Sequence, residues 1–172
     1  MVAVLLAVAY PALVFLALQY HCARAVSLLV AALCVARFLT LKNADSGALW
    51  FLVAALAAAG FTLITDSPLG VKSYPVLMNL VAFAVFAYSL KRPPTVIERL
   101  ARLKHPELPA KGVRYTRQVT VVWCWFFAVN ASIATATLFL SDRIWALYNG
   151  LVAYLAMGLL LGGEWLLRPK KP

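Results

Sequence analysis

Two asparagines and one histidine–glutamate pair are the residues whose types and positions could support chemistry in this chain. Asn79 and Asn130 lie within apolar stretches, where their amides can hydrogen-bond between helices or form a polar pocket that holds a lipid headgroup. His105 and Glu107 flank a proline in a basic segment, and such a pair can supply the general base of a membrane acyltransferase. No third member of a catalytic site is recognisable, so the sequence predicts no catalytic residues.

The cysteines and the remaining polar residues exclude further classes of site. Cys22, Cys34 and Cys124 lack the spacing of zinc ligands, so we expect small apolar packing residues, no metal and no cofactor. A proton relay normally uses buried acids or histidines, and none lies in the middle of an apolar stretch. The sequence therefore argues against a proton-driven transporter.

The composition indicates that lipid surrounds most of these residues. Hydrophobic residues occupy 64% of the 172 positions and charged residues 13%, whereas a soluble chain is about half apolar and about one quarter charged. A water-soluble fold of this size could not cover so much apolar surface. We expect a single integral membrane domain over residues 1–172. Most of the basic residues that give the chain its net charge of +10 lie between the apolar segments. This placement favours anionic lipid over nucleic acid as the partner of the chain.

Six apolar segments are long enough, or nearly long enough, to cross a bilayer, which takes about 20 residues. The sequence therefore predicts an all-α fold, a polytopic transmembrane helical bundle of about six spans. The second segment is the weakest because it contains Arg37, whose side chain must extend to the headgroups. The predicted spans are 2–20, 25–41, 47–65, 73–90, 118–140 and 144–167.

Lysines and arginines are unevenly divided between the two sides that six spans create. One side receives thirteen of the sixteen, mostly in the loop 91–117, and the other side receives Arg24, Lys72 and Arg143. Cytoplasmic loops of membrane proteins carry an excess of these residues. The loop 91–117 and both termini are therefore expected in the cytoplasm.

The loop 91–117 contains the sequence pattern of a short helix. Thr95 and Glu98 have the spacing of a capping box, in which each side chain accepts a hydrogen bond from the other residue's backbone N–H. Prolines precede this pair, and Pro106 ends the pattern. We expect an amphipathic helix at about residues 95–105, lying in the interface of the inner leaflet.

Basic side chains dominate this loop. Eight of them against two glutamates give it a charge of +6, which is ample for docking to an anionic leaflet. The alternative is that these charges only fix the topology. The candidate lipid-binding or partner-binding residues are Arg99, Arg102, Lys104, Arg114 and Arg117.

Small residues predict how the last two spans pack. Gly150, Gly158 and Gly162 belong to a stripe at four-residue spacing in the last span, and alanines and a serine repeat at the same spacing in the span before it. The turn between the spans is short, so the two helices are expected to be antiparallel neighbours. Glu164 and Arg168 lie four residues apart, which predicts an ion pair on one helix face.

A series of short motifs runs through residues 90–168. The segments are Leu90-Lys91-Arg92-Pro93, Ile97-Glu98-Arg99-Leu100, Glu107-Leu108-Pro109, Trp123-Cys124-Trp125-Phe126-Phe127 and Ile144-Trp145. This series resembles the intracellular septation protein A family of proteobacterial inner-membrane proteins. That family is similar in having a basic pair and a proline after one span, then an isoleucine–arginine–leucine stretch, and aromatic motifs that open the next two helices. The loop departs from the family pattern because it is longer and carries His105-Pro106.

The resemblance implies a bacterial inner-membrane location and an accessory or scaffold role in cell-envelope biogenesis, through contacts with other envelope-synthesis membrane proteins. It supplies no residue with a chemical role. Similar small membrane proteins accompany aryl-polyene clusters, so a protein that binds or transports lipid or polyene-lipid is the first alternative. An acyltransferase-type enzyme acting at the inner leaflet is the second.

Overall fold

The computed structural model describes residues 23–39, 46–65 and 67–167, and this part of the chain is helical without β-strands. The predicted first span, 2–20, lies outside the described residues, and so does Arg168, the expected partner of Glu164. The helices are α1 (Ala23–Leu39), α2 (Ser46–Thr65), α3 (Pro68–Lys91), α4 (Val96–Arg102), α5 (Ala110–Thr137), α6 (Asp142–Leu147) and α7 (Ala153–Leu167). A π-helical turn, Tyr148–Val152, joins α6 to α7.

Three of the described helices are long and apolar enough to cross a membrane. They are Leu69–Lys91, Ala110–Thr137 and the continuous helix Asp142–Leu167, and they correspond to the predicted spans 73–90, 118–140 and 144–167. A further apolar helix, Leu49–Thr65, is shorter. The chain therefore has the character of a helical membrane protein.

Side-chain caps and prolines fix where these helices begin and end. The Ser67 hydroxyl accepts from the Leu69 N–H at 3.2 Å, and a proline occupies the first position of α3. The predicted capping box is present at the start of α4. The helix ends at Arg102, before the expected end at residue 105. Ser141 caps α6 by accepting from the Ile144 N–H at 3.4 Å.

Helices α2 and α3 pack closely through small residues. Ala58 and Thr62 are buried on α2, and Gly70 faces them from the first turn of α3. A Cβ at Gly70 would contact Thr62 Oγ1 and would lie 2.8 Å from the Ala58 carbonyl oxygen. Only glycine therefore allows the two helices to approach this closely.

Aromatic side chains fill the interface between α3 and α5. The ring centroids of Phe86 and Phe127 are 5.1 Å apart, and those of Trp123 and Phe126 are 5.5 Å apart, both pairs in edge-to-face geometry. Trp123 is buried, whereas Trp125 is 69% exposed. The aromatic motif lies in the middle of α5, and it supplies one core residue and one residue for the lipid-facing surface.

The glycine stripe of the last helix has a different environment from the one predicted. Gly158 and Gly162 are exposed, and a Cβ at either position would meet open space. Gly150 is partly buried within the π-helical turn. The predicted packing at Gly158 and Gly162 is therefore not observed in the part of the chain that the structure describes.

Candidate functional site

Two long-range contacts define the two ends of the bundle. At one end the Tyr115 hydroxyl donates to Glu164, at 3.3 Å from both the Oε1 and the backbone oxygen, which joins the start of α5 to the end of α7. This end also carries the loop 91–117, and we call it the loop end. At the far end the Lys72 ammonium donates to Asp142 at 3.0 Å. The cations of the predicted loop therefore gather at a single end of the described bundle.

A buried carboxylate organises the loop end. Glu98 is 4% exposed, and its Oε2 accepts from the Thr95 N–H at 3.4 Å, while the Thr95 hydroxyl accepts from the Glu98 N–H at 3.3 Å. Its Oε1 accepts from the Nε and Nη2 of Arg102 at 2.9 and 2.7 Å. Arg102 Nη1 also donates to the Pro106 carbonyl at 3.0 Å. One charge-assisted network therefore holds the loop from residue 95 to residue 106.

Two further arginines of the predicted set also bind backbone carbonyl oxygens. Arg117 Nη1 donates to the Leu90 carbonyl at 2.9 Å and thereby occupies an acceptor at the end of α3. Arg99 Nε donates to the Pro94 carbonyl at 3.0 Å. Together with Arg102, these side chains order the loop, a role that their sequence pattern did not indicate.

Other cations of the loop end are directed outward. Lys104 and Arg114 are exposed, and their side chains form no hydrogen bond or ion pair with the described residues. Leu100 and Leu103 are 57% and 80% exposed beside them. The ordered loop thus presents both cationic and apolar side chains on its surface.

A buried serine that was not among the predicted site residues connects α3 to α4. Ser89 is fully buried, its hydroxyl donates to the Phe86 carbonyl at 2.7 Å, and it accepts from the Val96 N–H at 3.2 Å. The hydroxyl therefore satisfies a free N–H in the first turn of α4. Its position at the end of an apolar span is the only sequence feature that distinguishes it.

The two intramembrane asparagines contact each other, as one of the sequence interpretations predicts. Asn130 is 6% exposed, its Nδ2 donates to Asn79 Oδ1 at 2.9 Å, and its Oδ1 accepts from the Tyr148 hydroxyl at 2.7 Å. Asn79 Nδ2 donates to the Pro75 carbonyl at 2.7 Å. These bonds connect α3, α5 and the π-helical turn, so the amides stabilise the interface between helices.

The π-helical turn places two successive side chains against α5. Adjacent side chains of an α-helix point about 100° apart, yet Tyr148 bonds to Asn130 while Asn149 Nδ2 donates to Thr137 Oγ1 at 3.1 Å. Asn149 also donates to the Trp145 carbonyl at 3.0 Å. This pair was not among the predicted site residues, although two polar residues side by side within an apolar span are a signal in the sequence. These contacts confirm that α5 and the following helix are neighbours.

The general-base pair proposed for the loop is not assembled here. His105 and Glu107 are both exposed, and no hydrogen bond joins their side chains. Within the described residues, no group of three or more histidine, cysteine, aspartate or glutamate side chains could hold a metal ion.

An apolar groove of about 390 Å³ lies toward the far end of the bundle, between α2, α3 and the turn that follows α5. Ser73 is its polar residue, and the Ser73 hydroxyl already donates to the Gly70 carbonyl at 2.8 Å. The groove therefore suits a hydrocarbon chain and offers no group for a polar headgroup. The other lining residues are Ala57, Ala58, Phe61, Leu69, Leu77, Leu138 and Phe139.

Comparisons of the chain with known protein families, with curated proteins and with solved structures find no match. The resemblance to the septation protein A family therefore stays a prediction.

Proposed function

We propose that this chain is a multi-pass accessory or scaffold protein of the bacterial inner membrane, similar to septation protein A, that acts in cell-envelope biogenesis. In this proposal about six helices cross the membrane, and the loop end and both termini lie in the cytoplasm. The excess of lysine and arginine at the loop end supports that orientation.

The observation that carries the proposal is the ordered, cationic loop end. A loop that only fixed the topology would not need a buried carboxylate held by a capping box and an arginine. Burying a carboxylate is unfavourable unless it is paired and hydrogen-bonded, so the network maintains one particular loop conformation. A defined conformation with exposed cations is what recognition by another envelope protein requires.

Site-specific photo-crosslinking in living cells tests this proposal. A crosslinker at Arg114 should capture a membrane protein of envelope synthesis, and a crosslinker at Arg143, an exposed cation of the far end, should not. The variant Arg114→Gln should lose that partner in affinity purification, whereas Arg143→Gln should retain it. The absence of any specific crosslink at the loop, or an Arg114→Gln variant that keeps the partner, would contradict the scaffold role.

The apolar groove favours the lipid-binding alternative. Under this alternative, native mass spectrometry of the purified protein should find a bound lipid in stoichiometric amount. Leu77→Trp, which fills the groove, should remove that lipid, whereas Leu159→Trp on the exposed face of α7 should not. A protein that carries no lipid would exclude this alternative.

A further inference from the structure

One face of α4 combines two exposed leucines with two cations. At about 100° per residue, Arg99, Leu103, Leu100 and Lys104 follow one another around the helix axis in that order. Leu103 continues the helical backbone conformation beyond the last residue of α4. The two leucines thus lie between the two cations, and we call these four residues the α4 outer face.

The opposite face of α4 is packed on the protein. Thr95 and Glu98 are 1% and 4% exposed, and α4 packs against α5. The inner face therefore fixes how the helix is rotated, and it leaves the α4 outer face uncovered. Leucine side chains left in water are less favourable than buried ones, so this face is expected to have a partner.

We infer that the α4 outer face docks on the anionic leaflet of the membrane that the chain spans, with Leu100 and Leu103 at the acyl boundary and Arg99 and Lys104 on lipid phosphates. This inference rests on the cytoplasmic orientation given in the proposed function. It also names lipid as the partner of one defined surface within the loop end.

The position and chemistry of the face favour lipid as its occupant. Helix α4 begins at Val96, five residues after α3 ends at Lys91, so the chain has little length in which to leave the membrane surface. Arg99 uses its Nε for the Pro94 carbonyl, and its Nη groups have no partner among the described residues. A guanidinium and an ammonium on either side of an apolar strip match phosphates above acyl chains.

An environment-sensitive fluorophore on a single cysteine tests the inference. The full chain, with Cys22, Cys34 and Cys124 replaced by serine, receives the fluorophore at Leu103→Cys or, as the control, at His105→Cys. His105 is exposed in the same loop but lies outside the α4 outer face. Each protein is reconstituted in phosphatidylcholine vesicles with and without phosphatidylglycerol.

The label at position 103 should move to a less polar environment when phosphatidylglycerol is present, and the label at position 105 should not. Adding Arg99→Gln or Lys104→Gln should lower the ratio of docked to undocked loop roughly fivefold per cation. The inference would be overturned if the labels at positions 103 and 105 reported equally polar environments in anionic vesicles. It would also be overturned if the label at position 103 were shielded only in a detergent complex with a protein partner. Failure to crosslink any protein partner would not change the fluorescence result, so failure of the scaffold role and failure of the docking inference are distinguishable.

Discussion

The Nζ atom of Lys72 lies 3.0 Å from Oδ1 of Asp142, and this pair joins the start of α3 to the start of α6. Lys72 is 5% exposed, and its carbonyl accepts from the Trp145 indole N–H at 3.1 Å. Trp145 is fully buried and forms the local core with Val71. An asymmetric ion pair, in which only the lysine is buried, therefore connects α3 and α6 at the far end of the bundle.

This asymmetry predicts unequal effects of the two single substitutions. Asp142→Asn leaves a buried ammonium without its counter-ion and should destabilise the protein by about 1–2 kcal/mol, a value reduced because Asp142 is half exposed. Lys72→Met removes the buried charge and leaves an aspartate that water can solvate, so it should destabilise less. Thermal unfolding in detergent measures both, with Arg143→Gln as the neighbouring exposed control. Equal loss in both variants would contradict the asymmetry.

The close approach of α2 and α3 predicts that Gly70 tolerates no side chain. In Gly70→Ala the new methyl group meets Thr62 and the Ala58 carbonyl, and the helices must separate, at a cost of about 1–3 kcal/mol. Gly158→Ala is the matched control, because its methyl group meets open space. Unfolding midpoints in the same detergent should fall for Gly70→Ala and stay the same or rise for Gly158→Ala. The reverse order would show that α7, and not α3, has the close helix contact.

The hydrogen bond from Tyr148 to Asn130 predicts coupling between two residues that are far apart in the sequence. Tyr148→Phe and Asn130→Leu both remove it, so their effects on stability should not add. Coupling energies of this kind within membranes average about 0.6 kcal/mol and reach about 1.7 kcal/mol. A double-mutant cycle measures the coupling, and Tyr115→Phe with Asn130→Leu provides a distant pair whose effects should add. Full additivity for Tyr148 and Asn130 would exclude a stabilising bond.

The proposed orientation predicts where reporter tags are found. Tags inserted after Pro106 and fused to the carboxyl end should both be cytoplasmic, because the excess of lysine and arginine lies on that side of the spans. A tag inserted next to Ser141, in the turn at the far end, should be periplasmic. Paired activity reporters for the two compartments measure all three positions. A periplasmic signal from either of the first two tags would overturn the orientation.

Local patterns were enough to predict the start of α4, because a capping box uses residues only three positions apart. They were not enough for the roles of the arginines. The sequence placed Arg102 and Arg117 among the candidate lipid-binding or partner-binding residues, and it did not predict that Arg102 binds Glu98 or that Arg117 binds the Leu90 carbonyl. Charge alone cannot distinguish an arginine that faces lipid from one that caps its own chain, since both lie at the end of a span.

Individual side-chain contacts between spans were predicted only where the chemistry required them. Asn79 and Asn130 need partners in lipid, and each is the other's partner. Tyr148, which contacts the same amide, lies in a π-helical turn, which periodicity at four-residue spacing does not reveal. The same four-residue spacing favoured Gly158 for helix packing, whereas among the described residues the close contact between helices is at Gly70, an isolated residue in the first turn of α3. Spacing identifies the face of a helix but not the neighbour that approaches it.

The Glu98 network predicts that the loop end opens when this carboxylate is neutralised. Glu98→Gln removes the charge that holds Arg102 and so weakens the network that orders the loop between residues 95 and 106. A hydrogen bond to a charged group contributes about 1.5–3 kcal/mol, and the partial exposure of Arg102 places this one near the lower limit. Cleavage by trypsin between residues 99 and 104 should therefore accelerate at least about fivefold, because proteolysis follows the population of the open loop. Glu107→Gln is the matched control, since that glutamate is exposed in the same loop. If both variants were cut at the wild-type rate, the buried carboxylate would not be what orders the loop.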